Sequence, residues 1–372
     1  MTNQNKVWVE EIWCKIQKKL TRTSQEIGVA YPHVSTDGKF DDMMKSDICW
    51  WTNGFWPGIM WLMYVGTKEE KYKTTAENIE KELDKTLCSY EGLHHDVGFM
   101  WLTSAVASYR ITGNKESKVR GEIAASFLAS RYNIKGKYIR AWNGDNKGWA
   151  IIDCMMNIPI LYWASEVQND DRFKFIAMQH ADTTMKNFIR PDGSVNHIVD
   201  FDHETGEFVN TFRGQGYELG SSWSRGQSWA IYGFILSYIH TQKQEYLDAS
   251  KRVANYFITC IGGNYVPDCD FRAPSQPIIK DTTAGAIAAC GLIEIANNVP
   301  EYEKKIYLDA AINILKSMEK EYCDWTTDEQ AILTMGTKSY HDINGRNVPI
   351  IYGDYYFIEA ILKLRGNNIL FW

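Results

Sequence analysis

The stretch "WAIIDCMMNIPILYW", residues 149–163, is almost wholly apolar yet carries one carboxylate, Asp153. A carboxylate stripped of water and left without a partner costs several kcal/mol, so such a group finds donors or takes up a proton. Nothing basic lies near it in sequence, which leaves two readings: a structural hydrogen-bonding residue, or an acid kept protonated for proton transfer. A second group is "HHD", where His94, His95 and Asp96 sit at a polar turn just before another apolar run. Two imidazoles and a carboxylate exceed what capping a helix requires. "SSWSRGQSW" sets Arg225 between Trp223 and Trp229, where a guanidinium either stacks structurally on indole or clamps an anion. Asn53, Gln227, Asp281 and Asp354 occupy similar turns, and the last two read as helix N-caps.

Six segments share one format, a polar turn followed by an apolar run: 51–64, 94–109, 149–163, 224–238, 280–296 and 352–364. Ala, Met, Gly and Leu outnumber β-branched residues in them and most exceed strand length, so they read as helices buried on nearly all faces. Between them lie amphipathic segments. Ile79, Leu83 and Leu87 share one helical face, as do Tyr246, Ala249, Val253 and Phe257. Ile306, Ala310, Ile314 and Met318 form a third stripe flanked by Tyr307, Ala311 and Leu315. Residues 5–29, 115–132 and 168–189 fit the same role. A half-solvated helix thus precedes a buried one six times, which predicts a ring of six helical hairpins, an all-α (α/α)6 barrel spanning 1–372 as a single domain. Closing the ring would gather the polar turns at one mouth. The stretches 133–148, 190–224, 262–282 and 324–350 are expected to be loops or small sheets there, with a short hairpin around "SVNHIVDF".

Composition sets bounds on function. The net charge of -6 and the lack of a basic stripe argue against nucleic acid as a partner. The 8 Cys are dispersed with no paired spacing, so they read as reduced core residues; no metal and no cofactor is expected. The first twenty residues lack an apolar leader core and no run is long enough to cross a membrane, so the expectation is a cytoplasmic protein, a monomer or weak homo-oligomer. The 14 Trp offer flat surfaces for stacking on sugar rings, although Trp-rich cores are also common.

Through "WTNGFWPGIMWL", "HHDVGF", "RAWNG", "IIDCMMNIPILYWA", "WSRGQSWAIYGF" and "DTTAGAIAACGLIEIA", nearly the whole chain resembles the unsaturated glucuronyl hydrolases, glycoside hydrolase family 88. The resemblance implies the (α/α)6 barrel reached above. It also implies a substrate: the oligosaccharide a polysaccharide lyase leaves, with a 4,5-unsaturated uronic acid at its non-reducing end. Such enzymes add water across that double bond, and the resulting hemiketal opens and expels the neighbouring sugar. By the resemblance Asp153 is both the general acid and the later base, its proton retained by apolar neighbours and by a second carboxylate, Asp96. His95, His197 and Gln215 match substrate contacts, and Arg225 is expected near the uronate. Trp51, Trp142 and Trp229 match aromatics walling the subsites, and Asn53 falls at a polar site position. "TFRGQGYELG" departs from the family pattern, with Gly214 where a histidine can precede the glutamine. Arg213 and the loop 338–347 would then shape the second sugar's subsite and admit a sulfated sugar. Three rivals remain: an unsaturated rhamnogalacturonyl hydrolase acting on pectin fragments, a sugar epimerase or isomerase using a histidine pair, and a silent sugar-binding protein.

Overall fold

The computed structural model describes residues 1–87, 89–367 and 370–372. Helices alternate outer and inner along the chain. Outer α1 (Asn3–Ile27) leads to inner α2 (Phe55–Thr67), and outer α3 (Glu70–Leu87) to inner α4 (Val97–Trp101), which continues through a π turn at 102–106 into α5 (Ala107–Thr112). Outer α6 (Lys115–Ser130) then leads to α7 (Pro159–Gln168), α8 (Asp171–Phe188) to α9 (Ser224–Thr241), α10 (Gln244–Ile261) to α11 (Thr282–Asn298), and α12 (Glu301–Tyr322) to α13 (Ile351–Leu364). Contacts run α2 to the π turn, α4 to α7, α7 to α9, α9 to α11, α11 to α13, and α13 back to α2. The inner ring is closed, and each outer helix packs behind it, so the six-hairpin barrel holds.

Closure explains the inner pattern: nearly every residue of α2, α9, α11 and α13 is buried, because each meets two ring neighbours and an outer helix. One predicted stripe is rotated. Ile306 is exposed, and Tyr307, Ala310, Ala311, Ile314, Leu315 and Met318 form the buried face of α12. Asp281 caps α11 as expected, but Asp354 caps nothing. It is the fourth residue of α13 and accepts the Ile332 and Leu333 N–H groups at 2.9 and 2.8 Å, pinning a loop.

Strands are confined to the mouth. Two small ribbons pair β1 (Ser35–Thr36) with β2 (Lys39–Phe40) and β3 (Tyr132–Asn133) with β4 (Tyr138–Ile139). A three-stranded antiparallel sheet follows the order β5 (Trp149–Ile151), β6 (Ile198–Phe201), β7 (Phe208–Phe212). The 149–163 segment is therefore not one helix. Its start pairs with β6, residues 152–156 form a 3-10 turn, and Pro159 opens α7 at the position where its missing N–H costs nothing. Seven cysteines are free and the eighth, Cys88, lies outside the described residues. Among the described residues no helix is long and apolar enough to cross a membrane.

Histidine burial gives the fold a pH signature. Burial pushes His180 and His33 down to about 3, and His94 and His240 down to about 4. The unfolded chain protonates these rings near 6.5. Folded values below the unfolded one mean that stability is full above that point and is lost as pH falls from 6.5 toward 4. Each fully buried ring costs about 2 kcal/mol at pH 5. The urea midpoint should therefore drop clearly between pH 7 and pH 5; equal midpoints would contradict neutral burial.

Candidate active site

The site forms where β5 hands over to the 152–156 turn. β5 pairs with β6 in the register Trp149↔Asp200 and Ile151↔Ile198, and Ile152 N–H extends the ladder to the His197 carbonyl at 3.0 Å. Asp153 and His197 thus enter from neighbouring strands, and His197 Nε2 stands 3.3 Å from Asp153 Oδ1. The Asp153 side chain keeps 14% exposure, so it opens on the mouth. To the apolar neighbours and second carboxylate expected from the sequence, the sheet adds a polar neighbour, His197, that is remote in sequence.

On the opposite side of the 152–156 turn lies Asp96. It occupies the N-cap position of α4 yet makes no capping bond, so the bland reading fails for this residue. Its Oδ1 lies 3.0 Å from His95 Nε2 and accepts Asn157 Nδ2 at 3.1 Å, and its Oδ2 lies 3.4 Å from His94 Nδ1. His95 Nδ1 points at the Ala141 carbonyl at 2.9 Å. A carbonyl only accepts, so Nδ1 bears the hydrogen, and Nε2 is the ring nitrogen that faces the carboxylate. Burial pushes the Asp96 carboxyl up, but His95, His94 and Asn157 outweigh it and hold it below the usual carboxylate range. Its negative charge is therefore largely answered by its own neighbours, and it repels Asp153 less than a free carboxylate would.

Asn157 joins the two acids. Besides Asp96, its Nδ2 reaches the Asp153 carbonyl at 3.3 Å, while its Oδ1 accepts Phe99 N–H at 2.8 Å. Gly98 permits this approach, since a Cβ there would lie 2.4 Å from Asn157 Cα. The sequence reading missed Asn157, although it stands four residues after Asp153 in the same motif. His94, His95 and Asp96 also bring possible metal-ligating atoms within 4.8 Å of one another. Within this group His95 Nδ1 is already committed to the Ala141 carbonyl and Asp96 Oδ1 to Asn157 Nδ2.

The remaining expected site residues divide. Trp142 stands 6.0 Å, edge-on, from His95 and the same distance from Trp149, whose ring lies 4.9 Å from Phe212. These rings cover a small cluster of Ala141, Ile151 and Ile198 set apart from the barrel core, and Phe212 is exposed. The aromatic wall thus runs beyond Trp142 onto the sheet, which the sequence did not reveal because Phe212 arrives from β7. Trp51 packs on Phe55, Phe99 and Tyr352, whereas its neighbour Trp50 lies edge-on to His33 with its indole N–H buried and unpartnered. Asn53 is buried, donating to the Asp47 and Ile48 carbonyls and leaving Oδ1 unpartnered; Gln227 Oε1 is unpartnered too. Gln215 spends Nε2 on the Lys338 carbonyl at 2.7 Å.

Two residues depart from expectation. Trp229 has 0% exposure and sits among Phe99, Tyr352 and Tyr356, so it belongs to the barrel core and not to an open sugar wall. The α9 helix turns that face inward. Arg225 is 2% exposed, and its guanidinium is committed to Asp281 at 2.5 Å and to the Thr337 and Lys338 carbonyls at 2.5 and 2.7 Å, stacked over Trp223. It ties α9, α11 and the 336–347 loop together.

Known proteins share both sequence and shape with this chain. The unsaturated glucuronyl hydrolase of Bacillus sp. (strain GL1) is 34% identical over 94% of this chain and 95% of its own. The unsaturated chondroitin disaccharide hydrolase of Streptococcus pneumoniae (strain ATCC BAA-255 / R6) is 34% identical over 98% and 94%. A structure of the unsaturated glucuronyl hydrolase of Streptococcus agalactiae, an Asp-to-Asn mutant complexed with dGlcA-GalNAc6S, superposes with a TM-score of 0.86 at 31% identity, covering 99% of this chain and 94% of that one. The model of Glycosyl Hydrolase Family 88 matches residues 23–260. Two acids at the mouth of a closed helical barrel, matched nearly end to end by such relatives, place this chain in Glycosyl Hydrolase Family 88.

Proposed function

We propose that the protein hydrates the C4=C5 bond of the unsaturated uronic acid at the non-reducing end of lyase-generated, glycosaminoglycan-type oligosaccharides. The observation that carries this is the partly exposed Asp153 carboxylate, with His197 Nε2 3.3 Å from one oxygen, on the same turn whose Asn157 holds Asp96. The C4=C5 bond is an enol ether. Asp153 delivers a proton to C4, and the positive charge left at C5 is shared with the ring oxygen. Water attacks C5 and gives its proton back to Asp153. The resulting hemiketal opens at its C5–O5 bond to a C5 ketone, leaving a hemiacetal at C1; its collapse to the aldehyde breaks the C1–O bond and releases the neighbouring sugar with its hydroxyl. Asp96 does not transfer a proton in this scheme; with His95 and Asn157 it fixes the floor on which Asp153 stands.

An epimerase would need a histidine acid–base pair, but His95 Nδ1 is taken by the Ala141 carbonyl and His197 Nδ1 by the Gln215 N–H. Trp142 supports a stacking wall for the sugar after the uronate. Basic groups lie around the Gln215 turn: Arg213 is exposed, Lys338, whose carbonyl holds Gln215, pairs with Asp342 at 3.6 Å, and Arg346 lies over Tyr340. A sulfate on the second sugar fits that charge, in keeping with the ligand held by the Streptococcus agalactiae relative.

The test is a panel of unsaturated disaccharides, sulfated and unsulfated, glycosaminoglycan- and pectin-derived, followed by loss of the alkene's ultraviolet absorbance. Turnover of the chondroitin-type members, including the sulfated one, is expected, with full activity after EDTA. Absorbance that never falls overturns the hydration reading; failure of the sulfated member alone overturns the sulfate reading.

A further inference from the structure

Residues 213–216 make a tight turn closed by the Gly216 N–H to the Arg213 carbonyl at 3.1 Å. Gly214 sits in it at φ +57°, the left-handed region that favours glycine. Space forbids a side chain as firmly as the backbone does. A Cβ at 214 would lie 1.8 Å from His197 Nδ1 and 2.6 Å from Cε1. The backbone therefore rides directly on the edge of the imidazole, and the next N–H, that of Gln215, reaches His197 Nδ1 at 2.9 Å. Gln215 is itself held on both sides: its Nε2 donates to the Lys338 carbonyl at 2.7 Å, and its own carbonyl accepts Tyr340 N–H at 2.9 Å. The ring's face rests on Trp223, 4.3 Å between centroids, so it has no freedom to flip.

The consequence is chemical. A backbone N–H can only donate, so Nδ1 must present its lone pair, and a neutral imidazole then carries its one hydrogen on Nε2. Nε2 faces Asp153 Oδ1 at 3.3 Å. We infer that Gly214 is a positioning residue: by leaving no side chain against His197 it lets Gln215 N–H fix the Nε2–H form of the ring. That form turns its N–H toward Oδ1 of Asp153, 3.3 Å away, and leaves Oδ2 as the oxygen that gives and takes the proton. His197 is then an orienting donor and not a base. Any larger residue would push the turn off the ring. The inference rests on the role proposed for Asp153, and its readout is chosen to be separable from that role.

The experiment uses the full chain with its 8 His labelled with 15N in the imidazole, His197 being assigned by the signal lost in His197→Gln. The parent should show an unprotonated Nδ1 and a protonated Nε2. Gly214→Ala should mix the two ring forms or reverse them and lower kcat about 10–100-fold, the usual cost of losing an outer hydrogen-bond partner, with KM little changed. Because alanine also strains the left-handed turn, a second pair stands beside it. His197→Gln puts an amide N–H where Nε2–H was and should retain at least about tenfold more kcat than His197→Ala. A proton on Nδ1 in the parent overturns the inference, as does Gly214→Ala with ring form and kcat unchanged, or equal loss in the two His197 variants. Failure of the Asp153 role shows separately, as turnover surviving Asp153→Asn, whatever the ring nitrogens report.

Discussion

Asp153→Asn should lower kcat by about 10²–10⁴, the range general acid–base catalysis supplies, while leaving the fold and the affinity for an unsaturated disaccharide nearly intact. The change is close to isosteric. An amide oxygen in the place of Oδ1 still faces His197 Nε2, now 3.3 Å away, and the Asp153 carbonyl keeps its Asn157 contact. What disappears is a group that can give a proton to C4 and take one from water. In transition-state terms the loss corresponds to about 3–5 kcal/mol at 1.36 kcal/mol per tenfold. Steady-state rates with a titration calorimetry check on binding decide it. A variant retaining more than a tenth of the activity would remove Asp153 from the chemistry and leave it a structural residue.

Arg225→Met should be the most destabilising change at the mouth, about 3–5 kcal/mol, because it strands a buried charge. Asp281 is fully buried, with Oδ2 on Arg225 Nη1 and Oδ1 on the Thr283 hydroxyl at 2.5 Å. Methionine fills the space but leaves that carboxylate with no cation and frees the Thr337 and Lys338 carbonyls. The loop carrying Lys338 and Tyr340 would loosen, and with it the clamp on Gln215. Adding Asp281→Leu should recover much of the lost urea midpoint, since the charge itself is the penalty. Should the single variant instead keep its midpoint and raise KM steeply, the guanidinium would be reaching the substrate anion, as the sequence alone suggested.

The barrel was legible because its cause is periodic. A ring of hairpins needs six helices apolar on all sides and six apolar on one, and both patterns are written locally in the chain. Ile306 failed by a fraction of a turn, since a stripe flanked by Tyr307, Ala311 and Leu315 can rotate toward either edge and only packing against α11 chooses. The 149–163 segment failed because a partner strand some fifty residues on, β6, drew Trp149–Ile151 out of the helix pattern. Pairing of that kind leaves no trace in local periodicity.

The acids were legible for a related reason. A lone carboxylate in an apolar run and a His-His-Asp turn are anomalies of type and place, and anomalies survive in one dimension. The sequence by itself therefore determined the fold class and the family, and it singled out the two carboxylates as candidates. The tertiary structure alone decided the partners: His197 on Asp153, Asn157 between the acids, Gln215 N–H on His197, and Arg225 turned to Asp281. Hydrogen bonds act over about 3 Å with strict direction. Which donor meets which acceptor is set by where separate strands and loops arrive in space, and the order of residues along the chain does not encode that distance.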